Sequence, residues 1–129
     1  MDKVTKLLLF LFISSLLQAK HLHKEKYYQK IFCSKMNGIL EYRLKDKTRV
    51  DCLTKTYAIE VDFASKWAES IGQSLYYGLM TNHQPGVLLV IEKKRKDIKY
   101  LKRLERVAKE IDIKVWTIDK NLVIKKMLK

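Results

Sequence analysis

The chain has 129 residues and few that break regular structure: one proline and four glycines. That scarcity excludes collagen-like and Pro/Gly-rich disordered architectures, and no linker of that kind divides the chain. Only two cysteines occur, Cys33 and Cys52, too few for a disulfide-dense scaffold or a CxxC zinc site. Histidine is equally sparse. His83 stands alone in a loop, which argues against Ser/His/Asp or Cys/His catalysis. His21 and His23 lie near the chain start, where a frayed, solvated stretch is expected. No glycine-rich phosphate loop is present, so a nucleotide cofactor is not expected. Acidic side chains are also outnumbered, with 14 Asp and Glu against 27 Lys and Arg, a formal net charge of +13.

That charge is the strongest compositional signal. A surface so basic attracts polyanions: nucleic acid, anionic lipid or acidic polysaccharide. With 47% hydrophobic and 32% charged residues, the composition suits one small globular domain.

Residues 1–19 read as a secretory signal peptide. Lys3 and Lys6 make a positive start, 7–17 is the apolar run LLLFLFISSLL, and Leu17-Gln18-Ala19 ends in a small residue. The run is short for a bilayer span, although an uncleaved anchor is the alternative. Cleavage near Ala19 would leave a single domain over 20–129, periplasmic or secreted. Removal takes away only Asp2, Lys3 and Lys6 among charged residues, so the basic excess stays with the domain. In an oxidising compartment Cys33 and Cys52 read as one disulfide closing a loop of about twenty residues, worth roughly 3 kcal/mol; two buried free thiols are the other reading.

The element pattern is α/β. Residues 24–35 have helical spacing, with Tyr28, Ile31 and Phe32 inward, and Asn37-Gly38 as a stop. Three short strands follow at 39–44, 48–53 and 57–63, an expected antiparallel meander. Residues 64–80 read as a helix whose apolar stripe is Ala64, Trp67, Ala68, Ile71, Leu75 and Leu79. A loop at 82–86 holds the only proline. The apolar run 87–91 suits a strand covered on both faces, 97–110 an amphipathic helix, and 113–118 a last strand. The tail from Asp119 is basic, without a clear element. The order αβββαβαβ predicts a small mixed sheet with flanking helices.

The residues that suggest chemistry lie between Glu41 and Tyr77. Glu60 and Asp62 are two apart on the third strand and share a face, and Asp51 can approach them across the hairpin. Such a cluster repels itself unless a cation fills it, and hard divalent ions such as Mg²⁺ or Mn²⁺ prefer oxygen ligands of this kind. On the helix that follows, Lys66, Gln73 and Tyr77 fall within about 40° of one another at 100° per residue. A lysine, an amide and a phenol along one line would suit a phosphate.

Asp51 followed by Glu60-x-Asp62 resembles the D…(D/E)xK signature of the PD-(D/E)xK, or restriction-endonuclease-like, nucleases. Gln73-Ser-Leu-Tyr-Tyr77 resembles the QxxxY helix motif of the RecB-type members. The resemblance covers about forty residues. It implies a restriction-endonuclease-like core, Asp51 and Glu60 as metal ligands, Gln73 and Tyr77 in a supporting helix, and Mg²⁺ or Mn²⁺ as cofactor. The signature's lysine is replaced by Asp62. Lys66 could act as a displaced lysine, with Asp62 as a further ligand, or the site could be inactive. Glu41 could match the acid that many members supply from the first helix, although it falls on the first strand here. The implied activity is metal-dependent hydrolysis of nucleic acid, DNA rather than RNA, by an exported nuclease; many members cut as homodimers. Lys93, Lys94, Arg95 and Lys96 form one candidate backbone-binding run. Two other classes stay open: an inactive nuclease-fold module that binds DNA, and a basic envelope protein that meets anionic lipid or glycan.

Overall fold

The computed structural model describes residues 1–9 and 21–127. The expected cleavage point near Ala19 lies outside the described residues. A short helical stretch covers 3–9. The domain then runs α1 (Glu25–Lys35), β1 (Ile39–Arg43), β2 (Arg49–Leu53), β3 (Tyr57–Phe63), a 3₁₀ turn (Ala64–Lys66), α2 (Trp67–Thr81), β4 (Gln84–Ile91), α3 (Lys94–Ile111), β5 (Lys114–Asp119) and β6 (Ile124–Lys126). Among the described residues no helix is long and apolar enough to cross a membrane.

The six strands form one mixed sheet in sequence order. β1, β2 and β3 make an antiparallel meander. β3, β4 and β5 are parallel, and β6 folds back against β5. The alternation of side chains along β3 to β5 gives the sheet two apolar faces. On one face Tyr28, Phe32 and Cys33 of α1 pack with Ile59, Val61, Leu88 and Val90. On the other, Leu104 and Ala108 of α3 pack with Val87, Leu89 and Val115, and Trp67 and Ile71 of α2 join from the side. Both parallel crossovers therefore cover one face and α1 covers the other.

With so few glycines, asparagine and aspartate turn the chain at the helix ends. Asn37 (φ 53°), Asn82 (φ 54°) and Asp112 (φ 54°) take the left-handed conformation, which their short polar side chains tolerate better than most. Gly38 has a different reason to be there. A Cβ at this position would collide with Cys52 Sγ and come within 2.8 Å of Cys33 Sγ. The two sulfurs are joined in a disulfide with Cα atoms 5.6 Å apart, tying α1 to β2. This bond is consistent with an oxidising, exported environment.

Several boundaries and faces differ from expectation. The stretch at 64–80 opens as a 3₁₀ turn and becomes α-helical only at Trp67. Its inward face is Ser70, Ser74, Tyr77 and Gly78, while Leu75 is partly and Leu79 largely exposed (79%). Small residues win these positions because α2 lies close to the start of β4. A Cβ at Gly78 would stand 2.7 Å from Pro85 Cγ and 3.0 Å from the His83 carbonyl oxygen. Pro85 itself lies within β4 rather than in a loop. The basic tail holds β6, set by a turn in which Asp119 accepts hydrogen bonds from the Asn121 and Val123 amides.

A carboxylate wedge between two strands as the candidate functional site

Strand β3 is sealed on one edge and open on the other. Toward β4 its partners run continuously from Tyr57 to Phe63. Toward β2 only Ile59 and Ala58 pair, with Cys52 and Leu53. Beyond that point carboxylates replace the ladder. The Val61 amide donates to Asp51 Oδ2 at 2.8 Å, and the Asp51 amide reaches Glu60 Oε1 at 3.4 Å. On the next strand Glu41 lies opposite Asp51, between the paired residues Leu40 and Tyr42, with φ 51°. That backbone is unfavourable for a residue with a Cβ.

Helix α1 completes the wedge. Gln29, 2% exposed, donates from Nε2 to the Asp51 carbonyl oxygen at 2.9 Å and to Glu41 Oε1 at 3.3 Å. Glu25, one turn earlier, faces Asp62, Glu41 and Glu69, with Lys66 as the nearby cation. Glu60 and Asp62 are both buried. Asp62 Oδ2 has no hydrogen-bond partner among the described residues, an unusual state for a buried oxygen.

The electrostatics follow from crowding acids into a dry place. Burial, then the charges of Glu25 and Asp51, raise the Asp62 carboxyl to about 8. Burial raises Glu60, and the neighbouring Asp51 raises it further. Burial likewise raises Asp51 against the opposing hydrogen bond from the Val61 amide, and burial raises Glu25 although Lys66 pulls the other way. The two acids Asp51 and Glu60 titrate as a pair. A strongly basic protein thus carries a cluster of buried acids, of which Asp62 and Glu60 hold their protons at neutral pH. Its oxygens suit a hard divalent cation, and the partnerless Asp62 oxygen is a position such an ion would satisfy. Among the described residues, however, no three His, Cys, Asp or Glu side chains stand in a metal-ligating arrangement. Asp51 instead bonds the Val61 amide and Glu60 the Asp51 amide.

Of the residues singled out from sequence, Asp51, Glu60 and Asp62 come together, with Glu41 at the edge. Lys66 belongs to the 3₁₀ turn, exposed but close enough to offset part of the rise at Asp62 and Glu25. The expected Lys66/Gln73/Tyr77 line is broken, because Lys66 precedes the α-helix and helical spacing does not reach it. Tyr77 is buried in a small cluster with Val50, Leu53 and Ala58 under the wedge. Burial raises its hydroxyl, and Glu60 adds to this. Gln73 is half-buried one turn away and makes no side-chain hydrogen bond among the described residues. Lys93 stands just before α3 without a side-chain capping hydrogen bond, and Lys94, Arg95 and Lys96 form the first turn of α3 rather than a loop.

Glu25 and Gln29 were not anticipated. Their i, i+4 spacing, continuing to Cys33, places them on the inward face of α1, the one available signal. His21 also differs from the expected frayed stretch. Its Nδ1 lies 2.8 Å from Glu92, and its ring stacks on Phe63 with centroids 3.4 Å apart. The Tyr28 hydroxyl donates to the same carboxylate at 2.6 Å. Burial raises Glu92, but the hydrogen bonds from Tyr28, His21 and the His23 amide outweigh it and hold the group below its ordinary value.

Comparison with protein-family models, curated proteins and solved structures finds no match to this chain.

Proposed function

We propose that this protein is an exported, metal-dependent nuclease that hydrolyses phosphodiesters in nucleic acid, DNA in preference to RNA. The observation that carries the reading is the wedge itself: Asp51, Glu60 and Asp62 gathered where β3 parts from β2, with one buried oxygen, Asp62 Oδ2, lacking a hydrogen-bond partner among the described residues. Asp51, Glu60 and Asp62, with Glu41 or Glu25 beside them, would hold Mg²⁺ or Mn²⁺ once Asp51 and Glu60 exchange their amide hydrogen bonds for the ion, which when bound lowers the pKa of a water and polarises a phosphoryl oxygen. The raised Asp62 carboxyl can hold or release a proton near neutral pH. Lys66, exposed beside the acids, would stabilise charge on the phosphate. Gln29 and Tyr77 position the wedge and do not touch substrate. The strand order and the acids on β2 and β3 are compatible with a restriction-endonuclease-like core.

A second reading rests on a specific departure. Position 62 carries a carboxylate where the resembled signature has lysine, which favours a module that binds DNA without cutting it. Cleavage of labelled single- and double-stranded DNA and RNA, with Mg²⁺, Mn²⁺ or EDTA, separates the two. Metal-dependent cutting that drops to background in Glu60→Ala and by about 100-fold in Lys66→Ala supports the nuclease. Salt-sensitive binding with no cutting in any metal overturns it in favour of the module.

A further inference from the structure

Helix α3 carries a second and separate concentration of charge. Arg95, Lys99, Lys102, Arg103, Arg106 and Lys109 are all exposed. At 100° per residue they fall within an arc of about 120° along a length of roughly 21 Å. The opposite side of the helix, through Leu104 and Ala108, is buried against the sheet. Except for Glu110, four residues after Arg106, the i+3 and i+4 neighbours within this arc are cationic and repel one another. The helix has few acids to offset them. Asp97 is turned to the other side and accepts a hydrogen bond from the Lys93 amide, Glu105 lies off the arc, and Glu110 enters it only at the far end. Among the described residues no lysine or arginine of α3 is in an ion pair. The first turn is basic as well, so the positive end of the helix dipole adds to the side-chain field.

From this arrangement we infer that the outer face of α3 is a ridge that grips the phosphate backbone of nucleic acid. A line of cations at helical spacing complements a line of phosphates, and the three guanidinium groups suit phosphate oxygens. Tyr100 steadies part of the ridge, with Lys99 Nζ 5.0 Å and the Arg103 guanidinium carbon 5.7 Å from its ring centroid. A bilayer fits less well. A membrane-surface helix inserts its apolar face, and the apolar face of α3 is already used against β4 and β5. The ridge shares its substrate class with the nuclease reading, but its binding requires no cutting.

The test is binding of a labelled DNA duplex in EDTA across a salt series. The ridge variant combines Arg95→Gln, Lys99→Gln, Lys102→Gln and Arg106→Gln. A control with the same charge change combines Lys24→Gln, Lys26→Gln, Lys30→Gln and Lys35→Gln, all exposed on or beside α1, and thermal melts check that both variants fold. The ridge variant is expected to bind at least about 10-fold more weakly and to flatten the slope of log K against log salt by about 3. The control is expected to lose much less. Equal losses would make net charge the cause and overturn the ridge, as would no loss in either. Vesicles rich in phosphatidylserine form the second arm, and tighter ridge-dependent binding to them than to the duplex would reassign the surface to membrane. Glu60→Ala separates the two proposals. If it binds the duplex as well as the parent while no protein cuts, the nuclease reading fails and the ridge stands. If the ridge variant binds and cuts like the parent, the ridge fails and the wedge stands.

Discussion

The two edges of strand β3 meet the same residues under different rules. Toward β4, Glu60 and Asp62 contribute only backbone, paired with Val87 and Leu89, and the ladder closes without interruption. Toward β2, the side chains of Asp51 and Glu60 occupy the places of ladder hydrogen bonds, and the strands part. A parallel pair covered by apolar layers on both faces has no reason to open. A pair lined with buried carboxylates has a reason, because charges in a dry interior repel and must find protons, amides or a cation. The sealed ladder and the buried acids thus lie along opposite edges of one strand.

The closed edge is where substitution should cost most. Leu88 is fully buried at the centre of β4, and Leu88→Ala is expected to lower unfolding free energy by about 2–5 kcal/mol. Chemical denaturation measures this, and a loss below about 1 kcal/mol would contradict the sealed packing. On the open edge a smaller effect is expected from Gln29→Ala, which strips the Asp51 carbonyl of its partner, at about 1–3 kcal/mol. If the wedge relies on α1 in this way, hydrogen exchange should rise at the Val61 amide as well as in α1. Exchange confined to α1 would detach Gln29 from the site.

The sharpest contrast between the edges is in pH. Asp62 has a folded-state value of about 8 against 3.8 for the free side chain. At pH below 3.8 both states hold the proton, and the acid is neutral in the comparison. Between there and about 8 the unfolded chain ionises while the folded one does not, so stability falls as pH rises through this window. Asp51 and Glu60 shift in the same direction. Thermal melts in EDTA should therefore decline from about pH 5 to about pH 9, and Asp62→Asn should flatten the decline. Mn²⁺ should raise the melting temperature most at the upper end, where the carboxylates are ionised and need a counter-charge. A melting temperature that climbs with pH in EDTA would show that the acids are solvated rather than buried.

Much of this was legible in the sequence where the cause was local. The meander was readable at 39–63 because alternation and turn residues act within a few positions, and the apolar run at 87–91 marked the central strand for the same reason. The i, i+2 spacing of Glu60 and Asp62 put them on one face in any strand. The cations on the outer face of α3 follow helical spacing and are legible in the sequence, and Arg95 of the contiguous run 93–96 is one of them. Apolar spacing misplaced α2, because periodicity reports which side is oily and not how closely a helix can approach a sheet. Ser70, Ser74 and Gly78 turn inward where Pro85 and the His83 carbonyl leave no room for more.

By itself, then, the sequence determined the kinds of elements, their order along most of the chain, the excess of positive charge and the acids shared by the second and third strands. Each depends on near neighbours or on composition. Only the tertiary structure decided that β3 opens toward β2, that Glu25 and Gln29 reach the acids from α1, and that Lys66 stands outside the helical line. Those outcomes depend on groups far apart in the chain being forced into one poorly solvated space. There the cost of an unpartnered charge or amide, rather than any local preference, selects the arrangement.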